Sequence, residues 1–381
     1  MRRLFALVAA IVLVDTMFFT ALTPLLPGYA DDLGLSKAGA GLLAAAYPLG
    51  VLVAGLPAGF AAARFGVKPT VLAGLAVMAV TTVTFGLGES VWLLDTARFA
   101  QGLASSFAWA GGLAWLTDAA PAGRRGELIG SAMAAAIVGA LLGPLLGAIA
   151  SAVGTEAAFG GVAALTVVLV GWAAATPAAP ASDPGPPTAV LRALARPRIL
   201  RGAWLVALPA LLFGVLGVLA PLRLDELGLG AVAIGGAFLL AAAIEATLAP
   251  ILGRLSDRRG RLAVLRASLA AATVLAATLP WLDHRWALAA AVVAAGPTFG
   301  SFWAPALAQL ADEAEAVGLA HAYGFALVNV AWAPGQAAGA AVGGALGQAT
   351  SDAVPFLALS LACALTLAAL RGQRSTAPAQ A

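Results

Sequence analysis

The sequence predicts an all-α integral membrane protein with twelve transmembrane helices in two six-helix bundles. Three observations carry this expectation. The 381 residues are 61% hydrophobic and 10% charged, with a mean hydropathy of +0.95, whereas an ordinary soluble domain is about one quarter charged. Twelve apolar runs each approach or exceed the roughly 20 residues that cross a bilayer core. Finally, the second six runs repeat features of the first six at a nearly constant offset.

The first run, 4 to 27, follows Arg2 and Arg3 and so begins like a secretory signal peptide. It continues past Asp15 to Pro27 without a convincing A-x-A site, so it reads as a retained first helix. Runs two to six cover 38 to 62, 69 to 88, 93 to 117, 127 to 153 and 157 to 176. Between Thr176 and Arg198 stand Pro177, Pro180, Pro184, Pro186 and Pro187 with Gly185, a composition that excludes a regular helix and reads as a linker. Runs seven to twelve cover 200 to 222, 231 to 253, 262 to 281, 286 to 310, 320 to 347 and 353 to 370. The expected organisation is therefore a first bundle over 1–176, a cytoplasmic linker over 177–198 and a second bundle over 199–381.

Orientation follows from the basic residues, which favour cytoplasmic loops. With both termini cytoplasmic, seventeen Lys and Arg lie inside, only Lys37, Arg223 and Arg285 lie outside, and Arg98 falls within a run. That distribution accounts for the basic pI of about 9.5 without a nucleic-acid surface, which would need one continuous patch. A single cysteine, Cys363, and two histidines argue against disulfide, thiol or zinc chemistry. The loops are too short for a catalytic domain, and no H-E-x-x-H or G-x-S-x-G motif is present, so neither an enzyme nor a cofactor is expected.

The repeat is visible residue by residue. Asp31-Asp32-Leu33-Gly34-Leu35 recurs 194 positions later as Asp225-Glu226-Leu227-Gly228-Leu229, and Gly59, Arg64 and Gly66 recur as Gly253, Arg258 and Gly260. The ladder Gly139, Gly143, Gly147 recurs at 196 as Gly335, Gly339, Gly343. An even-numbered unit returns the chain to its starting side, so this is a parallel duplication. Two bundles joined on one face point to rocking about a central site, the geometry of alternating access.

The motifs resemble those of the major facilitator superfamily over nearly the whole chain. The segment Gly253-Arg254-Leu255-Ser256-Asp257-Arg258-Arg259-Gly260-Arg261 is similar to the family's G-x-x-x-D-R-x-G-R signature, and its first-half copy keeps Gly59, Arg64 and Gly66 but has Ala63 at the aspartate position. An acid at a helix end that pairs with arginines can latch one state, so the resemblance implies a gating role for Asp257, Arg258 and Arg261. Arg64, lacking the acid, reads first as a topology signal. Arg98-Phe99-Ala100-Gln101-Gly102 is similar to the R-x-x-Q-G segment, and Arg98, Gln101 and Ser105 share one helix face. Gly139 to Gly147, with Pro144, resembles the G-x-x-x-G-P-x-x-G signature of proton-coupled exporters. Its small residues permit close helix approach, and the proline a bend. The first helix, Leu13 to Pro27, is similar to that of vesicular amine transporters and bacterial drug:proton antiporters. Those relatives carry further acids where this chain has Gly300 and Asn329, which argues against a dicationic substrate.

Charges deep in a span cost about 3 kcal/mol or more unless they face a cavity or partner. Asp15, Arg98 and Glu245 are the three such residues here, and Asp15 and Arg98 lack charged counterparts in the second half. They are the expected proton-coupling groups, with Asp15 and Glu245 also candidates for substrate contact. Tyr47, Gln101, Trp109, Phe302, Trp303, Asn329, Trp332 and Gln336 are the remaining pocket candidates, offering aromatic walls and neutral polar groups. The expected function is proton-coupled antiport of a small amphipathic substrate, drug or metabolite, across a lipid bilayer. A sugar or metabolite facilitator of the same fold is the alternative. The 19 Arg against 2 Lys and the abundant alanine suggest GC-rich codons, hence a bacterial cytoplasmic membrane. A monomer is the family expectation.

Overall fold

The computed structural model describes residues 2–120, 125–178, 192, 196–316 and 321–371. The first half contains α1 (Arg2–Thr20), α2 (Leu22–Leu33), α3 (Lys37–Phe65), α4 (Val67–Gly86), α5 (Val91–Ala119), α6 (Arg125–Val153) and α7 (Thr155–Ala175). The second half contains α8 (Pro197–Glu226), α9 (Ala231–Arg259), α10 (Arg261–Thr278) with a 3-10 turn at Leu279–Trp281, α11 (Arg285–Gly300), α12 (Trp303–Ala316), α13 (His321–Ala349) and α14 (Ala353–Arg371). No strand occurs among the described residues. Ten of the described helical stretches are long and apolar enough to cross a membrane. Helices α5 and α13 complete twelve spans; α5 falls short on hydropathy because it carries Asp95, Arg98, Gln101, Ser105 and Ser106.

Two spans expected as single helices are broken. The first divides between Thr20 and Leu22, and it runs on to Leu33 rather than stopping near Pro27. Pro24 has no N–H to offer the Thr20 carbonyl four residues earlier, so the ladder fails there. The tenth divides between Gly300 and Trp303, where Pro305 likewise cannot donate to Ser301.

The duplication extends to the backbone. Leu35 N–H donates to Ala30 O (2.8 Å) beside Gly34 at φ 63°, and Leu229 N–H donates to Leu224 O (2.9 Å) beside Gly228 at φ 84°. All three positions of the second turn lie 194 beyond those of the first. Gly66 (φ 97°) and Gly260 (φ 84°), also 194 apart, reverse the chain between α3 and α4 and between α9 and α10. Positive φ is accessible to glycine without steric cost, which explains its presence at both copies.

Packing repeats as well. A Cβ on Gly139 would meet the Leu13 carbonyl, on Gly143 Met17 and Thr20, and on Gly147 the Ala21 carbonyl and Pro24, so α6 packs closely along the α1–α2 span. In the second half Gly335, Gly339 and Gly343 face Ala207, Leu211 and Val215, the positions 194 beyond Leu13, Met17 and Ala21. The small-residue ladder is thus a groove for the first helix of each bundle, as close helix approach requires.

The halves meet chiefly along α3 with α13 and α6 with α9. Gly41 and Gly344 bring α3 and α13 together, each facing backbone of the opposite helix. At the end of this seam Lys37 Nζ donates to Asp352 Oδ1 and Oδ2 at 2.8 and 2.9 Å, and the Lys37 N–H donates to Gln348 Oε1 at 3.1 Å. Glu226 lies 3.7 Å from Lys37, and Arg223 pairs with Glu226 (2.9 Å) and Asp283 (2.8 Å). A charge network therefore ties the two halves together at the face that carries the Gly34 and Gly228 turns.

Candidate functional site

Asp15 lies near the middle of the α1–α2 span and is 3% exposed. Three neutral donors surround its carboxylate. Tyr47 Oη of α3 donates to Oδ1 at 2.9 Å, while Ser105 Oγ (2.9 Å) and Trp109 Nε1 (2.6 Å) of α5 both donate to Oδ2. Ser105 and Trp109 are four apart and so lie one above the other on the α5 face turned to α1. Tyr47 and Trp109, expected to line a substrate pocket, both bond the acid directly. Ser105 was legible only as a member of that face.

Arg98, three residues above Gln101 on α5, does not pair with Asp15. Its Nη1 donates to Phe18 O (3.3 Å) and to Gln101 Oε1 (3.4 Å), and its Nη2 donates to Phe19 O (3.1 Å). These carbonyls belong to the last turn of α1, where a helix end leaves acceptors available. The guanidinium carbon lies 4.9, 5.5 and 5.7 Å from the ring centroids of Tyr47, Phe18 and Phe85. A guanidinium can hold a buried charge this way, because aromatic faces and carbonyl dipoles both present negative potential. Arg98 Nε has no hydrogen-bond partner among the described residues. The sequence leaves open whether Arg98 meets Asp15; here its guanidinium instead clamps the break of the first span. Gln101 is fully buried, bonding Thr81 O of α4 at 3.1 Å, so it ties helices rather than lining space.

Beside Asp15 the two halves touch through aromatic rings. Phe19 lies 4.9 Å from Tyr47 and 5.5 Å from Trp332 of α13, the latter edge to face. Tyr47, Val51 and Ala333 form a small core of their own with Phe19, Leu52 and Trp332 around it. Asn329, one turn away, is half-buried opposite Gly55 of α3.

The other sequence candidates fall further out. Phe302 is fully buried in the packed core and presents no open wall, and Trp303 stacks on Phe213 (6.3 Å). Gln336 is half-buried on α13, with its backbone against Gly214. Glu245 stands at the midpoint of α9, half-buried, with no hydrogen-bond or ion-pair partner among the described residues, and its side chain lies on Gly300 at the α11 break. Of the expected gating residues, Arg64 and Arg258 are exposed, and Gly59 and Gly253 have open space beside them. The side chains of Asp257 and Arg261 lie outside the described residues.

Residues 8–334 match the family described as the Major Facilitator Superfamily. The chain belongs to the Major Facilitator Superfamily. Among solved structures, this superfamily member is similar to the partially occluded inward open xylose transporter XylE from E. coli. The TM-score is 0.77 at 13% identity, with 100% of this chain and 99% of that chain covered, a likeness of fold. Curated relatives include a probable vesicular acetylcholine transporter-B of Danio rerio, 34% identical over 125 residues, 31% of this chain and 25% of that protein. Multidrug resistance protein 2 of Bacillus subtilis is 25% identical over 134 residues, 35% of this chain and 34% of that protein. Uncharacterized MFS-type transporter C18.02 of Schizosaccharomyces pombe is 32% identical over 129 residues, 32% of this chain and 29% of that protein. The alignments with these three relatives thus span a quarter to about a third of their length. The superfamily and its fold are those of multi-pass membrane carriers of small molecules.

Proposed function

We propose that this superfamily member is a proton-coupled antiporter that exports small amphipathic compounds by alternating access. In this reading the bundles over 1–176 and 199–381 rock about the 177–198 linker, with both termini on the cytoplasmic side of a bacterial membrane and the carrier acting as a monomer. The observation that carries the reading is the enclosed Asp15 carboxylate with its three neutral donors.

A carboxylate accepting three hydrogen bonds is well matched to carrying charge. Once a proton binds and an O–H bond forms, one oxygen becomes a donor, and the three-donor shell no longer fits. The hydroxyls of Ser105 and Tyr47 can turn to accept, and the Tyr47 ring touches Phe19, which in turn touches Trp332 of the second bundle. Proton loading at Asp15 therefore acts on a contact between the bundles. With Asp15 3% exposed and its oxygens occupied, the proton is the ligand that fits there. The Lys37 to Asp352 network closes the face that the basic-residue count assigns to the outside, leaving exchange to the cytoplasmic side in this state.

The test is substrate-induced proton flux in proteoliposomes, using cationic, neutral and anionic amphipaths with wild type and Asp15→Asn. Flux with any one class that is lost in the variant supports antiport. Full coupled flux in Asp15→Asn removes Asp15 as carrier. Equilibration of a labelled solute without proton movement replaces antiport with facilitation.

A further inference from the structure

The enclosed acid leaves the second one unexplained. Glu245 is central in α9, with fourteen residues of the helix on either side. Its orientation can be read from its neighbours. Leu240, Thr247 and Ile251 are exposed and mark the outward face of α9. At 100° per residue, Glu245 lies about 140° around the helix from Leu240 and about 160° from Thr247. It falls instead with Ile234 (0% exposed) and Ala241 (5%), and Ala241 packs on Gly296 of α11.

A carboxyl on the inward face of a span is ordinarily packed or paired. Glu245 is packed on one side but not paired: it is half-buried and lacks any protein donor among the described residues. Its side chain rests on Gly300, where any Cβ would collide with it, just where α11 gives way to α12. The two acids thus differ in kind. Asp15 is 3% exposed with three protein donors, whereas Glu245 is half-buried with no protein donor among the described residues.

We infer that Glu245 is the recognition site for a monocationic group on the transported compound, with Asp15 left to the proton. The inference rests on the transport reading and names its substrate class: amphipaths carrying one positive charge. Charge neutralisation of a partnerless carboxylate in a low-dielectric interior supplies the discrimination, because a neutral compound of the same shape leaves that charge uncompensated. Gly300 matters because a side chain there would push the carboxylate off its seat.

Binding to the full-length protein in lipid nanodiscs, at fixed pH and without a proton gradient, tests this apart from coupling. The probes are tetraphenylphosphonium and the neutral triphenylphosphine oxide. Glu245→Gln is expected to weaken tetraphenylphosphonium binding at least about tenfold and to leave the neutral probe within about twofold. Glu245→Asp should retain part of the cation affinity, and Gly300→Ala should lose it to an intermediate degree. Equal cation affinity in wild type and Glu245→Gln, or a wild type that fails to bind the cation, overturns the inference. Thermal unfolding of each variant separates lost binding from lost fold. If Asp15→Asn abolishes coupled flux while Glu245→Gln leaves cation binding intact, the antiport reading stands and the Glu245 assignment falls.

Discussion

The hydroxyl of Tyr47 donates to Asp15 at 2.9 Å while the ring of Tyr47 lies 4.9 Å from that of Phe19. One side chain therefore bonds the buried acid and touches the ring that meets Trp332 of the other bundle. This dual contact makes Tyr47 the sharpest position at which to separate a donor's role from a packing role. Tyr47→Phe keeps the ring and deletes the donor. A hydrogen bond to a charged group contributes about 1.5–3 kcal/mol, so substrate-driven proton flux should fall roughly tenfold or more, with thermal stability nearly retained. Unchanged flux in Tyr47→Phe proteoliposomes would remove the hydroxyl from the coupling path.

Arg98 offers a test of the clamp on the first span. Arg98→Lys keeps the charge but replaces a planar fork by a point donor, which cannot reach the Phe18 and Phe19 carbonyls together with the same geometry. The variant should unfold at lower temperature than wild type and transport at least about tenfold more slowly, since the α1–α2 break sets where Asp15 sits. Wild-type melting and transport in Arg98→Lys would show that charge alone suffices.

The glycine groove predicts a graded steric response. Gly143→Ala would place a methyl group against Met17 O at 2.6 Å and against Thr20, whereas Gly130 has nothing within 4 Å. Overpacking costs about 1–3 kcal/mol, so Gly143→Ala should lower the melting temperature and transport while Gly130→Ala changes neither. Parallel melts of the two variants in nanodiscs distinguish local collision from a general intolerance of alanine.

At the sealed face, Lys37→Ala should favour opening. The Lys37 and Asp352 side chains are 26% and 18% exposed, so the pair is partly screened. Pairs of this kind are worth up to about 1 kcal/mol, and the maleimide labelling rate of a cysteine placed at Ala44 in a Cys363→Ser background should rise about 2- to 5-fold. The exchange Lys37→Asp with Asp352→Lys should bring the rate back toward wild type. A labelling rate indifferent to all three changes would assign the seal to the Gly41 and Gly344 contact instead.

The spans, the duplication and the depths of Asp15 and Glu245 were legible in the residues alone, because hydropathy, helical period and offset are properties of the chain read locally. The positive-φ glycines at 34 and 228 belong to the same class: a local backbone demand leaves a local residue choice. Even the breaks near Ala21 and Ser301 were foreshadowed by Pro24 and Pro305, although the expected runs passed through both. What only the tertiary structure decided was which side chains meet. Arg98 and Asp15 were two buried charges on separate helices, and nothing in their spacing says that one takes backbone carbonyls and the other Tyr47, Ser105 and Trp109. Phe302 and Trp303 are adjacent in sequence, yet one is sealed in the core and the other is only partly buried. Such outcomes depend on the rotation and crossing of whole helices, which are set by the packing of every neighbouring side chain at once and by no single segment of the sequence.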